Sequence, residues 1–289
     1  MPTTGPLGDA SEETGPSVAA GIRPDQYKCF QVSWPCDGVL ELVLSRTKAM
    51  NAMSLDLIRE LHQVCDVLQY PQSSSVPTRV LIIRGEGPAF CAGYDFKDER
   101  LGRADSPFLQ NAFSSVMRKL RDIPQPIVCG VNGSAAGGGM SLALAADVRI
   151  GTPKCRFIAS FVKLGLGGGE LGTSYFLPRI VGRGRAASML LTGGEIGAEK
   201  AESWGLVTEL VRDEAELAEA CRRQAAQLLE LSPKGLRLTK WLLNSSQEMT
   251  LAMALEREDL AQSYMSADRE SQEVGRKHVS KFKPKKSKL

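Results

Sequence analysis

This sequence predicts an α/β fold with a helical C-terminal region, and three observations carry the prediction. Short, continuous apolar runs such as "RVLIIRG" and "QPIVCGVNG" alternate with segments of helical periodicity. Each of those runs ends in glycine. From Glu214 onward the apolar residues fall at helical spacing almost throughout. With 289 residues, 43% of them hydrophobic, the chain can bury a sizeable core, and no repeat of fixed period suggests an array.

The elements follow in order. "YKCFQVSWPCDGVLELVLSR" holds two alternating runs around Cys36-Asp37-Gly38, the pattern of a β-hairpin. Ser54 stands as N-cap before a helix whose stripe is Leu57, Leu61, Val64 and Leu68; His62 lies off that stripe and is expected to be exposed. The unbroken apolar character of "RVLIIRG" predicts a strand buried on both faces. A helix is predicted around Phe108 to Leu120, and strand, turn and helix recur through "DVRIGT" and "GLVTELV". "LTKWLLNSS" and "TLAMALEREDLAQSYMSA" are the clearest of the later helices. The resulting division is a disordered segment over 1–24, a core over 25–212, a helical region over 213–274 and a basic tail over 275–289.

Charge and composition narrow the function. Gly275 to Leu289 contains seven Lys/Arg and no acid, so removing them from the formal +3 leaves the rest at −4. An acidic body argues against nucleic acid as the main ligand. No apolar run is long enough for a transmembrane helix, and the N-terminus shows no leader-like apolar block. Seven cysteines without a CxxC, and two histidines, His62 and His278, suggest neither a disulfide framework nor a zinc site, so no metal is expected. Ser287-Lys288-Leu289 reads as the address of the peroxisomal import receptor, which predicts a peroxisomal or glycosomal location.

Two glycine loops hold the chemistry. "VNGSAAGGGMSLALAADVRI" lacks the lysine of a phosphate loop and the spacing of a dinucleotide loop. What it offers is a bare turn into a helix starting near Gly138, whose first N–H groups suit an oxygen that becomes negative during a reaction. A second donor loop is therefore expected, and "GEGPAFCAGYDFKDE" follows a buried strand in the same way, with Ala92-Gly93 at its bend.

"AFCAGYDFK", "VNGSAAGGGMSLALAADVRI" and "LLTGGEIGAEKAESWGLVTELV" resemble, in order and spacing, the signature segments of the crotonase superfamily, the enoyl-CoA hydratase/isomerase family. The resemblance covers roughly Tyr27 to Leu260. It implies a crotonase (ClpP-like) spiral of repeated ββα units with a helical C-terminal trimerisation region. The expected assembly is a homotrimer or a dimer of trimers. It implies an acyl-CoA substrate, with coenzyme A part of that substrate rather than a separate cofactor. The thioester oxygen would sit between the backbone N–H groups of Tyr94 and Gly138. Ala92, Phe96 and Lys97 match the loop along which the family's CoA lies.

The family's hydratases use two glutamates, and this chain departs from that pattern. Ser141 stands at one of the two positions and Phe161 at the other. Glu170, five residues before Tyr175, resembles the single glutamate of peroxisomal-type Δ3,Δ2-enoyl-CoA isomerase, although the glycine run before it is one residue longer. One base suffices for isomerisation, because a proton removed beside the thioester can be returned two carbons along. The resemblance thus implies an isomerase of β-oxidation, with Glu170 as base and Gly137, Ser141, Phe161 and Leu166 lining the substrate pocket. Hydration, decarboxylation or thioester hydrolysis remain as rivals, as does a noncatalytic binder of the same fold. Ser141 has no evident base and is read as pocket lining, Cys91 as a small buried residue and Asp147 as structural.

Overall fold

In the structure, a computed structural model describing residues 21–70, 77–102 and 107–280, the alternating runs pair as the expected antiparallel hairpin. β1 (Phe30–Cys36) and β2 (Val39–Leu44) meet with Phe30 opposite Leu44. Ser54 caps α1 (Leu55–Gln69), its Oγ accepting the Leu57 N–H at 3.2 Å. After α1 a pattern repeats. β3 (Val80–Gly85) and β4 (Ala89–Cys91) lead through α2 (Glu99–Gly102) to α3 (Pro107–Asp122). β5 (Ile127–Val131) and β6 (Ser134–Ala136) lead to α4 (Gly138–Ala145). β7 (Val148–Gly151) and β8 (Arg156–Ile158) lead through a 3-10 turn, Ser160–Leu164, to α5 (Thr173–Val181).

The core closes with α6 (Arg183–Thr192), β9 (Glu195–Gly197), α7 (Ala198–Ser203) and β10 (Glu209–Leu210). One sheet has the order β1-β2-β3-β5-β7-β10 and the other β4-β6-β8-β9. Each passage of the chain therefore adds one parallel strand to each sheet and then a helix, which is a spiral of ββα units.

The apolar runs are unbroken because the first sheet is covered on both sides. Alternate residues of β3 divide between two cores: Leu81 and Ile83 face the larger, Val80 and Ile82 the smaller. The smaller core lies under α8 (Glu214–Leu229), which packs Leu217, Ala220, Cys221 and Ala225 onto the sheet. Helix and sheet are so close at β5 that a Cβ on Gly130 would lie 3.0 Å from the Cys221 sulfur. Glu41 of β2 faces the α8 side too, and it is buried only because Arg84 and Arg222 each reach it at 2.8 Å.

Three expectations change. His62 is half-buried, not exposed: its Nε2 lies 3.0 Å from the Ala112 carbonyl oxygen and 3.2 Å from Ser115 Oγ, because α3 covers that flank of α1. Ile22 lies within the segment read as disordered yet is wholly buried in the larger core; residues 1–20 of that segment lie outside the described residues. The helical region is α8, α9 (Pro233–Ser245), α10 (Leu251–Ala267) and α11 (Arg269–Ser280), so Gly275 to Ser280, read as tail, are helical. Ser287-Lys288-Leu289 lies outside the described residues.

Lys240 docks α9 on the core. Its buried Nζ donates to the carbonyls of Leu120 and Gln125 at 3.2 and 2.8 Å and lies 3.1 Å from Asp147. Burial pushes the Lys240 ammonium below its ordinary pKa, and Asp147 opposes that shift. Asp147 also accepts the Ile127 N–H at 2.8 Å, so its structural role is evident.

Candidate active site

Neighbouring parallel strands bring the separate motifs together. β4, β6 and β8 lie side by side with Cys91 opposite Ala135 and Ala136 opposite Ile158. The chain leaving their C-terminal ends is Ala92-Gly93-Tyr94, then Gly137-Gly138-Gly139, then the turn that carries Phe161. Three stretches far apart in sequence thus meet at one sheet edge, where parallel α/β sheets commonly hold their ligands.

The first two stretches are pressed against each other. A Cβ on Gly93 would lie 2.5 Å from the Ala136 carbonyl oxygen and 3.3 Å from the Gly138 nitrogen, and the φ of Gly93 is +86°. A Cβ on Gly139 would collide with the Cys91 carbonyl. Only glycine permits this approach. The first loop is also pinned from outside. Met53 donates to the Gly93 carbonyl at 2.6 Å and accepts from Asp95 N–H at 3.3 Å. Because Met53 bonds the residues on either side of Tyr94, the Tyr94 N–H points away from it. Arg46 braces the same loop, pairing with the buried Asp95 at 2.8 Å and donating to the Ala52 carbonyl at 2.7 Å.

Gly138 is the first residue of α4, with Gly137 as N-cap at φ +50°, so its N–H has no intrahelical acceptor. Every residue of α4 is buried, consistent with an apolar surface all round the helix. Its N-terminal partial charge therefore acts in a region poor in water.

Glu170 lies on the approach to α5. Its neighbour Leu171 packs toward Gly138, 3.2 Å from where a Cβ would stand. The chain turns after Glu170 through two left-handed residues, Leu171 at φ +48° and Gly172 at φ +86°. Such a leucine costs on the order of 1–3 kcal/mol and persists only where surrounding contacts hold it. Two of those contacts come from Thr173, whose N–H and Oγ1 donate to the Glu170 carbonyl at 2.9 and 2.8 Å. The carboxylate itself accepts a hydrogen bond from Gln110 Nε2 of α3.

The remaining expected residues divide. Phe161 is buried, its ring 3.6 Å from where a Cβ on Gly137 would lie. Ser141 is fully buried and turns its Oγ to the Gly137 carbonyl at 3.4 Å. Cys91 is also buried, and burial pushes its thiol up to about 12, so it is a neutral packing residue. Ala92 is half-buried and its N–H donates to Met50; Phe96 is 72% exposed against the Tyr94 ring, and Lys97 is exposed. Leu166 is 52% exposed, tied to Phe161 only through its backbone N–H.

Gln110 is the residue that sequence reasoning missed. A signal existed in the helical spacing of Gln110, Ser114, Met117, Arg118 and Arg121, which share one face of α3. All but Gln110 line a cavity of about 720 Å³ between α3 and α5, walled at Glu170's end by Leu171 and Gly172. Among the described residues no group of three or more His, Cys, Asp or Glu is placed to hold a metal.

The family model described as enoyl-CoA hydratase/isomerase matches residues 36–287. A probable enoyl-CoA hydratase of Mycobacterium leprae is 36% identical over 244 residues, covering 81% of each chain. The 1,2-epoxyphenylacetyl-CoA isomerase of Escherichia coli is 34% identical over 256 residues, covering 86% of this chain and 94% of that one. Among solved structures, an enoyl-CoA hydratase from Bacillus anthracis superposes with a TM-score of 0.80 at 27% identity, over 89% of this chain and 98% of that one. These matches establish that the chain belongs to the enoyl-CoA hydratase/isomerase family.

Proposed function

We propose that this enzyme shifts the double bond of 3-enoyl-CoA thioesters to give 2-enoyl-CoA. What supports the proposal is Glu170, whose neighbour Leu171 packs toward Gly138, together with Ser141, bonded to its own helix, and Phe161, a hydrocarbon, at the positions where the family's hydratases carry glutamates. Glu170 takes a proton from C2, and the electron pair moves through the thioester onto its oxygen. The Tyr94 and Gly138 N–H groups hold that oxygen, a stabilisation worth about 3–4 kcal/mol per donor. Glu170 then returns the proton to C4, leaving the double bond between C2 and C3 and the carboxylate as it began. In this reading Ala92, Phe96 and Lys97 contact the CoA.

Hydration is the second reading, favoured by the printed names of several relatives. It needs two groups to orient and deprotonate water, and Phe161 can do neither. Incubation of the pure protein with 3-enoyl-CoA is expected to yield 2-enoyl-CoA, and Glu170→Gln to slow this by roughly 100-fold or more. Accumulation of 3-hydroxyacyl-CoA from 2-enoyl-CoA, with no double-bond shift, would reject the isomerase. Full activity in Glu170→Gln would reject the base.

A homotrimer or dimer of trimers belongs to the same proposal, supported by Leu251, Leu260 and Tyr264, exposed on α10. So does a role in β-oxidation, with import into peroxisomes or glycosomes through Ser287-Lys288-Leu289. A tagged chain lacking those three residues is expected to stay in the cytosol; unchanged import would remove that part.

A further inference from the structure

The cavity between α3 and α5 is lined by Leu171 and Gly172, the two residues that follow Glu170. The face of α3 that presents Gln110 to Glu170 presents Ser114, Met117 and Arg118 to the cavity, so Arg118 lies about 12 Å along the helix axis from Gln110. The cavity's apolar walls are Leu171, Phe176, Met117 and Leu144. The volume, about 720 Å³, falls in the range of pockets that enclose small ligands.

The walls also carry charge. Four arginines, Arg118, Arg121, Arg149 and Arg179, face two acids, Asp122 and Asp147. Asp147 pairs with Arg121 at 3.0 Å and with Lys240 at 3.1 Å. Arg149 donates to the carbonyls of Leu206 and Ala146 at 2.7 and 2.6 Å. Arg179 lies 3.7 Å from the Tyr175 ring centroid and donates to the Tyr175 carbonyl at 2.9 Å, which holds its guanidinium at the wall without a carboxylate. Arg118 enters none of the ion pairs formed among the described residues. Apolar walls and cationic charge in one cavity fit an acyl chain with a negative end.

We propose that this cavity selects acyl-CoA substrates whose acyl chain ends in a carboxylate, with Arg118 and Arg179 as the groups that recognise it. The inference rests on the proposal that the enzyme acts on acyl-CoA at Glu170 and names the class of acyl group it accepts. The chain's methylenes would lie against Met117, Leu144 and Phe176, and its end would meet the planar guanidinium groups, which match a carboxylate in shape.

The test uses two pairs of thioesters on the full chain. One pair is a medium-chain 3-enoyl-CoA and its ω-carboxy counterpart, read as a ratio of kcat/KM. The other is the saturated acyl-CoA and its ω-carboxy counterpart, which cannot isomerise, read as a ratio of Kd by calorimetry. The Arg118→Met/Arg179→Met variant is expected to lower both ratios at least tenfold. The Arg118→Lys/Arg179→Lys variant, which keeps the charge, is expected to recover most of the loss. Unchanged ratios in the methionine variant, an equal loss in the lysine variant, or failure of both saturated thioesters to bind would overturn the inference. A Kd ratio that falls as expected while no enoyl substrate is isomerised would overturn the proposed reaction and leave the selection for an anionic end standing.

Discussion

Glycine serves opposite ends in the two halves of the site. In the donor loops it is demanded by chain pressing on chain: a Cβ on Gly93 would lie 2.5 Å from the Ala136 carbonyl oxygen, and one on Gly139 would collide with the carbonyl of Cys91. On the approach to Glu170, a Cβ on Gly165 or Gly167 would meet nothing within 4 Å, although Gly168 is pressed against Leu190. One half is fixed by backbone packing that no side chain can vary without moving the sheet edge. The other has room to change in length and composition, and it leads to Glu170, the base of the proposed reaction. In the proposed reaction, oxyanion stabilisation and choice of chemistry therefore fall to physically separate parts of the chain.

Three substitutions can break or sharpen this contrast, in falling order of effect. Gly138→Pro removes an N–H at a first-helical-turn position that proline tolerates, and it is expected to slow turnover roughly 100- to 1,000-fold. Gly138→Ala is its control, since it keeps the donor and sets a Cβ against the flexible Met53 side chain at 2.7 Å. If proline is no slower than alanine in steady-state kinetics, the donor assignment fails. Gly139→Ala forces a Cβ onto the Cys91 backbone and is expected to destabilise the fold by about 1–3 kcal/mol, read from denaturant midpoints. Gly167→Ala, on the loose side, is expected to stay within about 0.5 kcal/mol of the parent. Equal losses at 139 and 167 would erase the distinction.

Much of this was legible in the sequence, for identifiable reasons. The hairpin around Asp37-Gly38 and the Ser54 cap are local features, set by residues a few positions apart, and both form as expected. "RVLIIRG" announced burial on two faces, but not that α8 covers the second. His62 was misjudged because a stripe along α1 says nothing of what packs on its flank. Glu170 came from the resemblance, as the glutamate five residues before Tyr175 in a chain with serine and phenylalanine where the family's hydratases carry carboxylates. Gln110 escaped the same search because its partner is 60 residues away.

The sequence alone determined the α/β class, the two bare glycine turns and the shortage of carboxylates, since periodicity and residue chemistry act over a few neighbouring positions. Tertiary structure decided that β4, β6 and β8 lie side by side, that Gln110 reaches Glu170, and that arginines line the cavity between α3 and α5. Those outcomes depend on which strands become neighbours and on contacts between distant segments. The free energy that selects them comes from burying both faces of a sheet at once, a property of the assembled chain and of no single segment.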